Sequence, residues 1–329
     1  MAELLEIRDL SVHFRTEDGL VHAVSHVDFD LGEGEVLGVV GESGSGKSQT
    51  WLAVMGLLAQ NGYATGSVKL HGRELLGLSP SQLSHMRGVQ LAMIFQDPMT
   101  ALNPYLTIGR QMTEVLQWHR KMRRSDAEKR AVKALESVHI SDPVSRLKSY
   151  PHEFSGGMRQ RVMIAMNMLN EPEILICDEP TTALDVTVQA QILALLNELR
   201  ERFGTAIVFI THDLGVIAQI AERVAVLYGG RMMEQADVYT LFEDYRHPYT
   251  EGLLRSVPRM DEDRTERLLT IPGNPPNLAM LPKGCPFSPR CAYVEARCQQ
   301  QMPELEVIAP GHVRACFHSG KLGRQETGA

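Results

Sequence analysis

Eight consecutive residues near the amino terminus have the composition and spacing of a phosphate-binding loop. They are, in order, Gly41, Glu42, Ser43, Gly44, Ser45, Gly46, Lys47 and Ser48. The pattern is G-x-x-x-x-G-K-[ST], in which glycines permit the backbone conformations that point successive N–H groups at one anion. We expect Lys47 to reach the outer phosphates of a nucleotide and Ser48 to bind its Mg²⁺ ion. The alternative is a glycine-rich turn with no ligand.

Two acidic residues, Asp178 and Glu179, follow an apolar run at residues 174–177. In P-loop folds, a strand that ends in this way lies beside the phosphate loop. We expect Asp178 to hold Mg²⁺, directly or through water, and Glu179 to polarise the attacking water. Taken alone, two acids after a strand would be interpreted as a solvated turn. Together with the phosphate loop, they favour a catalytic site.

Four cysteines are clustered near the carboxyl terminus at positions 285, 291, 298 and 316, with five, six and seventeen residues between them. Four thiolates suit a tetrahedral Zn²⁺ ion or a [4Fe–4S] cluster equally well by ligand type. The spacing matches neither the common zinc pair C-x-x-C nor the ferredoxin run, and free thiols are the third possibility. The fifth cysteine, Cys177, lies alone in an apolar run, where we expect a small buried side chain.

The loop and the acids need a scaffold, and the hydrophobic pattern predicts one. Short apolar runs predict strands at residues 4–7, 24–31, 36–40, 89–95, 173–177, 205–210 and 223–228. Apolar residues three and four positions apart predict helices at 51–58, over most of 107–140 with a capping box at 125–128, and at 188–203. Strands that alternate with helices imply a largely parallel sheet covered on both faces.

Composition limits the possible functions. The 329 residues are 43% hydrophobic, which suits a globular chain of two domains. Lys and Arg number 33 and Asp and Glu 40, so the net charge of −7 argues against broad nucleic-acid binding. No stretch reaches the about 20 apolar residues of a membrane helix, and residues 1–10 do not resemble a secretory signal. We therefore expect a cytosolic protein that meets a membrane only through partners.

Five further motifs occur in the order found in ABC transporter ATPases, over residues 4–250. They are the signature at residues 154–161, the Q-loop at Gln96, the D-loop at Ala183, Leu184 and Asp185, the switch histidine His212, and the adenine-stacking aromatic Phe14. The chain therefore resembles this family. The resemblance implies an α/β P-loop ABC ATPase, with a RecA-like parallel sheet core and with antiparallel β and α-helical subdomains.

The resemblance extends to one subfamily. Residues 246–250 and the cysteine-bearing tail are similar to the oligopeptide/dipeptide group, and residues 46–50, 150–154 and 271–278 resemble its D-type oligopeptide permease ATPases. We expect a nucleotide-binding domain at residues 1–255, with a helical subdomain at about 97–165. Repeated prolines after about residue 255 indicate a small appended domain, and residues 256–329 would form this cysteine-rich transporter extension.

The resemblance also assigns roles to residues. The nucleotide of this chain would be bound by Phe14, residues 41–48, Gln49 and Asp185, and its Mg²⁺ by Ser48, Gln96 and Asp178. Glu179, His212 and Gln96 would be catalytic. Ser155, Gly156 and Gly157 would instead contact the γ-phosphate held by a partner chain. Alternatives remain for two of these residues, because Phe14 could be an ordinary core aromatic and His212 a buried, hydrogen-bonded histidine.

Partners and cofactors follow from the same resemblance. It implies ATP hydrolysis that powers oligopeptide import, with ATP, Mg²⁺ and a [4Fe–4S] cluster on the four cysteines, Zn²⁺ being the alternative. It also implies a heterodimer with a second, F-type ATPase subunit, two transmembrane permease subunits and an extracytoplasmic peptide-binding protein, on the cytoplasmic face of the bacterial inner membrane. A dipeptide, nickel or antimicrobial-peptide transporter is the nearest alternative. A soluble ABC ATPase without a membrane partner is the alternative outside transport.

Overall fold

The structure is a computed structural model that describes residues 3–17, 19–97, 101–182, 184–256, 270–320 and 322. The chain divides into two compact units, and each is described by itself. The first unit contains Gly32–Glu35 and Gly77–Ile210, and the second contains Glu3–Leu31, Val36–Leu76 and the described residues from Thr211 onwards. Part of the predicted extension, residues 257–269, lies outside the described residues.

The strands and helices are numbered in chain order. The strands are β1 (Glu3–Thr16), β2 (Gly19–Gly32), β3 (Val36–Val40), β4 (Gly62–Leu70), β5 (Arg73–Glu74), β6 (Leu91–Ile94), β7 (Ile174–Asp178), β8 (Ala206–Thr211), β9 (Arg223–Tyr228), β10 (Arg231–Asp237), β11 (Glu306–Ala309) and β12 (His312–Arg314). The α-helices are α1 (Lys47–Val54), α2 (Pro80–Met86), α3 (Ile108–Arg120), α4 (Arg124–Ser137), α5 (Pro143–Arg146), α6 (Gly156–Met168), α7 (Val186–Phe203), α8 (Leu214–Ile220), α9 (Val238–Glu243), α10 (Pro248–Arg255) and α11 (Ala296–Gln300).

In the first unit, β6, β7 and β8 form parallel ladders in that order. Every residue of β6 and β7 is buried, which explains why their sequences are continuous apolar runs without alternation. Helix α7 buries the apolar positions that predicted it, including Ile192, Leu195 and Leu199. No helix in the described part of the chain is both long enough and apolar enough to span a membrane.

In the second unit, the long strands β1 and β2 belong to a sheet of order β2-β1-β4-β5. A second set of strands runs β11-β12-β10-β9-β3, in which β3 and β9 are parallel and the remaining pairs are antiparallel. The prediction of parallel pairing is therefore right for β3 with β9 and for β6 to β8. The antiparallel sheet agrees with the ABC ATPase fold class expected from the resemblance.

Several predicted bounds were too short or misplaced. Strands β1 and β2 have 14 residues each and extend beyond the predicted runs at 4–7 and 24–31, because they also include exposed polar residues that the apolar pattern did not mark. The capping box predicted at residues 125–128 is wrong. Helix α4 begins at Arg124, and Arg123 is its N-cap without a side-chain hydrogen bond. The predicted domain boundary at residue 255 stays a prediction.

The carboxyl-terminal segment is attached to the second unit by strand pairing and by one buried carboxylate. Strand β12 pairs with β10 and β11. Glu234 of β10 is 0% exposed, and its carboxylate accepts hydrogen bonds from the backbone N–H groups of Arg246 and His247 and from His312 Nε2, at 2.5, 3.1 and 2.8 Å. One side chain therefore joins β10, the chain before α10, and β12.

We predict that Glu234→Ala lowers the free energy of unfolding by about 3 kcal/mol, because it leaves buried donors without an acceptor. Urea denaturation of the two proteins at neutral pH measures the difference. The matched control is Glu306→Ala on the exposed side of β11, where we expect a change within about 0.5 kcal/mol. Equal effects of the two substitutions would contradict the role given to Glu234.

Candidate functional site

The phosphate loop has the glycine-dependent geometry that its sequence predicts. It follows β3 and opens α1, whose N-cap is Gly46 in the left-handed region, at φ +98°. A Cβ on Gly46 would lie 2.7 Å from the carbonyl oxygen of Ala23. A Cβ on Gly41 would collide with the carbonyl oxygen of Leu227. Only glycine therefore fits at these two positions. Gly44 is also left-handed, but a Cβ there would have open space around it.

Lys47 places a positive charge inside this loop. Its side chain is buried, with 6% of the residue exposed. The ammonium Nζ donates hydrogen bonds to the carbonyl oxygens of Gly41 and Glu42, at 2.5 and 3.0 Å, and to Ser45 Oγ at 3.4 Å. Ser43 is exposed and Ser48 is half-buried. The loop therefore combines a charged group with accessible residues at its surface, which is what an anionic ligand requires.

The half-buried Gln49 follows Ser48 within α1. Phe14 is also half-buried and pairs with Gly62 of β4. A Cβ on Gly62 would lie 2.6 Å from the Phe14 ring, so the glycine makes room for this aromatic side chain.

His212 is exposed directly after β8, which excludes the alternative of a buried histidine.

The two acids lie at the end of β7, as predicted. Asp178 is its last residue and is buried. Glu179 has a left-handed backbone, at φ +47°, and its N–H donates to the Ile210 carbonyl oxygen at 2.9 Å. Its carboxylate Oε2 accepts hydrogen bonds from Gln96 Nε2 at 2.9 Å and from Thr182 Oγ1 at 3.0 Å. Two of the residues predicted to be catalytic are thus in direct contact.

Thr182 was not among the predicted site residues. Its position three residues after Glu179 is the signal that could have found it, because a tight turn brings the two side chains together. The contact matters chemically, since two donors on one carboxylate oxygen fix its orientation.

The signature residues lie at the start of helix α6. Ser155 is the N-cap, and its Oγ accepts a hydrogen bond from the Met158 N–H at 3.4 Å. Ser155 and Gly156 are exposed, so the N–H groups of the first turn face outward. A Cβ on Gly157 would lie 2.8 Å from Val188, the residue whose N–H is capped by Asp185 at 3.0 Å. Ala183 of the D-loop lies outside the described residues.

The four carboxyl-terminal cysteines line one small cavity, together with His247 and Phe287 among others. Backbone N–H groups donate to two of the sulfurs, Cys298 Sγ at 3.5 Å and Cys316 Sγ at 3.4 Å. Burial raises the pKa of Cys285 to about 12 and that of Cys291 to about 11. Among the described residues, no group of three or more His, Cys, Asp or Glu side chains is arranged to hold a metal ion.

Cys177 is fully buried, as predicted, and burial raises its pKa.

Sequence reasoning missed two further residues at the phosphate loop. The hydroxyl of Tyr249 accepts a hydrogen bond from the Glu42 N–H at 2.8 Å, and Arg290 forms an ion pair with the Glu42 carboxylate. Both lie more than 200 positions away along the chain, so no local pattern indicated them.

Comparison with known proteins decides the family. Residues 24–182 match the family described as "ABC transporter", and residues 233–298 match "Oligopeptide/dipeptide transporter, C-terminal region". The "Oligopeptide transport ATP-binding protein OppD" of Salmonella typhimurium is 56% identical over 95% of this chain and 93% of that protein. This chain belongs to the ABC transporter ATPases. The protein of the same name from Haemophilus influenzae is 53% identical over 98% of this chain and 99% of its own length.

Solved structures agree with this assignment. A dimeric ATP-binding cassette in a post-hydrolysis state, bound to ADP and Pi, has a TM-score of 0.64 and 27% identity, over 71% of this chain and 98% of that chain. CbiO1 from Clostridium perfringens, part of an ABC transporter complex, has a TM-score of 0.63 and 25% identity, over 74% of this chain and 93% of that chain. The predicted family, fold class and ATPase activity are therefore confirmed.

We predict that Gly46→Ala weakens MgATP binding at least tenfold more than Gly44→Ala does. Both substitutions strain a left-handed backbone, but only the Cβ at position 46 meets a carbonyl oxygen. Titration with a fluorescent ATP analogue measures the two dissociation constants, and thermal unfolding checks that both variants are folded. Equal losses of affinity would show that the space around Gly46 does not decide the loop geometry.

Proposed function

We propose that this chain is the ATP-binding and ATP-hydrolysing subunit that powers oligopeptide import through an ABC transporter. The observation that carries the proposal is the match over nearly the whole chain to oligopeptide transport ATP-binding proteins. The match of residues 233–298 to a transporter-specific region favours transport over a soluble ABC ATPase. A dipeptide, nickel or antimicrobial-peptide transporter remains the nearest alternative substrate class.

The proposed domain organisation follows the sequence. Residues 1–255 form the nucleotide-binding domain, with the helical subdomain at about 97–165 that includes α3 and α4, and residues 256–329 form the extension. The support for this division is that the loop, the acids and the signature all precede residue 255, whereas the four cysteines follow it.

The chemistry of the proposed site rests on residues of this chain. The loop N–H groups and Lys47 bind the phosphates, with the helix α1 N-terminus adding a positive partial charge. Ser48, Gln96 and Asp178 would hold Mg²⁺, which neutralises phosphate charge when bound. The carboxylate of Glu179 accepts a proton from the attacking water, and the contacts from Gln96 and Thr182 aim it.

Other residues are proposed to contact the nucleotide around these phosphate, Mg²⁺ and water-binding residues. His212 supports the γ-phosphate, Phe14 stacks on the adenine, and Gln49 and Asp185 border the nucleotide. Ser155, Gly156 and Gly157 contact the γ-phosphate held by a partner chain, and the exposed start of α6 supports this role. ATP thus favours a closed pair, and hydrolysis removes the charge that bridges it.

The proposed assembly contains a second, F-type ATPase subunit as the partner in a heterodimer. It also contains two transmembrane permease subunits and an extracytoplasmic peptide-binding protein, and it places this chain at the cytoplasmic face of the bacterial inner membrane. Peptide specificity then belongs to the binding protein and the permease subunits. No role for nucleic acid is proposed.

We predict that Glu179→Gln keeps MgATP affinity within about twofold but lowers ATP hydrolysis at least a hundredfold, because an amide cannot accept the proton. Hydrolysis is measured in the assembled transporter with peptide and binding protein present. The control is Glu198→Gln on the exposed face of α7, which should retain full activity. Wild-type turnover in the Glu179 variant would refute its catalytic role.

The four cysteines are proposed to hold a [4Fe–4S] cluster that orders the proline-rich extension. Their shared cavity and the N–H groups aimed at two sulfurs support this proposal. Because burial disfavours free thiolates, a positively charged group is needed to stabilise four of them together. The cluster would supply that charge, and Zn²⁺ is the alternative.

Anaerobic purification tests the cluster. We expect about four iron atoms and matching inorganic sulfide per chain, with a broad brown absorption, and we expect Cys291→Ser to lose them. Cys177→Ala should keep the full iron content, since that cysteine lies in the strand β7 core. If the protein contains stoichiometric zinc and no iron, the site is a zinc site and not a cluster. If it contains neither metal, the four cysteines are free thiols.

A further inference from the structure

The carboxyl-terminal extension forms an ion pair with the phosphate loop. Arg290 ends a short 3₁₀ turn at Ser288–Arg290, and Glu42 is the second residue of the loop. The guanidinium Nη1 and Nη2 donate to the Glu42 carboxylate Oε2 and Oε1 at 2.5 and 3.1 Å. The two side chains are 6% and 24% exposed, so water screens this two-pronged contact only partly.

Every N–H group of this guanidinium has an acceptor. Besides the two bonds to Glu42, Nη1 donates to the Tyr228 hydroxyl at 3.2 Å, Nη2 to the Ile271 carbonyl oxygen at 3.2 Å, and Nε to the Pro272 carbonyl oxygen at 2.8 Å. The extension thus fixes where the charge of Arg290 sits. These hydrogen bonds hold the guanidinium in one position beside the loop.

The same loop residue is held at its backbone. The Glu42 N–H donates to the hydroxyl of Tyr249, which is fully buried and packs on the rings of Tyr228 and Phe287, 4.6 and 5.2 Å away. The Glu42 carbonyl oxygen accepts from Lys47 Nζ at 3.0 Å. Glu42 therefore connects Arg290 to the lysine that binds phosphate.

The charge of Glu42 explains why such a partner is needed. A carboxylate at the edge of a phosphate-binding loop repels the triphosphate unless a cation balances it. Arg290 supplies a cation to the Glu42 carboxylate through their ion pair.

We propose that Arg290 is a positioning residue for nucleotide binding, which neutralises and anchors Glu42 so that the phosphate loop accepts ATP. This inference deepens the proposed function and rests on it. Arg290 directly precedes Cys291, which lines the four-cysteine cavity. The residue that pairs with Glu42 is therefore the chain neighbour of a residue that lines this cavity.

The test compares MgATP dissociation constants in the assembled transporter, measured with a fluorescent ATP analogue at fixed salt. We expect Arg290→Ala to weaken binding about tenfold, within the range of residues that act through another residue. Arg290→Lys, which keeps the charge but loses the fork, should weaken binding about threefold. The Glu42→Gln/Arg290→Ala double variant should regain most of the lost affinity, because the unbalanced carboxylate is gone.

The matched control is Arg297→Ala. Arg297 also directly precedes a cysteine, but its guanidinium contacts Glu295 and the Phe317 carbonyl oxygen within the extension. We expect its MgATP affinity to equal that of the wild type. Steady-state kinetics adds a second readout, since Arg290→Ala should raise KM for ATP while kcat falls less than twofold. A loss of folded protein would instead lower kcat at constant KM.

Each outcome has one meaning. Unchanged affinity in Arg290→Ala, or a loss that Glu42→Gln does not relieve, would overturn the positioning role while leaving the proposed function intact. Equal losses in the Arg290 and Arg297 variants would also overturn it, because the effect would belong to the extension in general. A wild-type complex that binds no MgATP would instead refute the proposed function itself.

Discussion

A buried ammonium group surrounded by main-chain carbonyl oxygens is the interaction on which the nucleotide site depends. Lys47 can be held there only because the loop bends through backbone conformations that Gly41 and Gly46 tolerate. Backbone bends of this kind allow successive N–H groups to point at one anion, which supports the proposed phosphate site. Charge and backbone shape are thus set by one short segment, and the remaining elements hold that segment in place.

Glu179, the proposed catalytic base, illustrates a second kind of constraint, in which the orientation of a side chain matters more than its proximity. Strand β7 ends at Asp178, and Glu179 follows it directly with a left-handed backbone. Gln96 and Thr182 then fix one carboxylate oxygen from two sides. A base that is aimed in advance loses little entropy when it meets water.

Motifs whose residues are neighbours along the chain could be predicted from the sequence alone. The phosphate loop after β3 and the acids at the end of β7 are set by local backbone geometry, and both lie where the sequence predicts them. The contacts of Glu42 with Tyr249 and Arg290, and of Glu234 with His312, could not be predicted. Each joins residues 78 or more positions apart, and their type and spacing carry no period. The capping box predicted in α4 is wrong because the helix begins two residues earlier than expected, with Arg123 as its N-cap.

The pairing of β12 with β10 has a consequence for biosynthesis. During translation, Glu234 of β10 is synthesised 80 residues before Arg314, the residue of β12 with which it is in register. Until then, the edge of β10 that pairs with β12 exposes unpaired backbone groups, which favour association with other chains. A chain that stops before residue 312 retains every nucleotide-binding motif yet keeps this edge open. Synthesis of the last strands therefore covers this edge of β10.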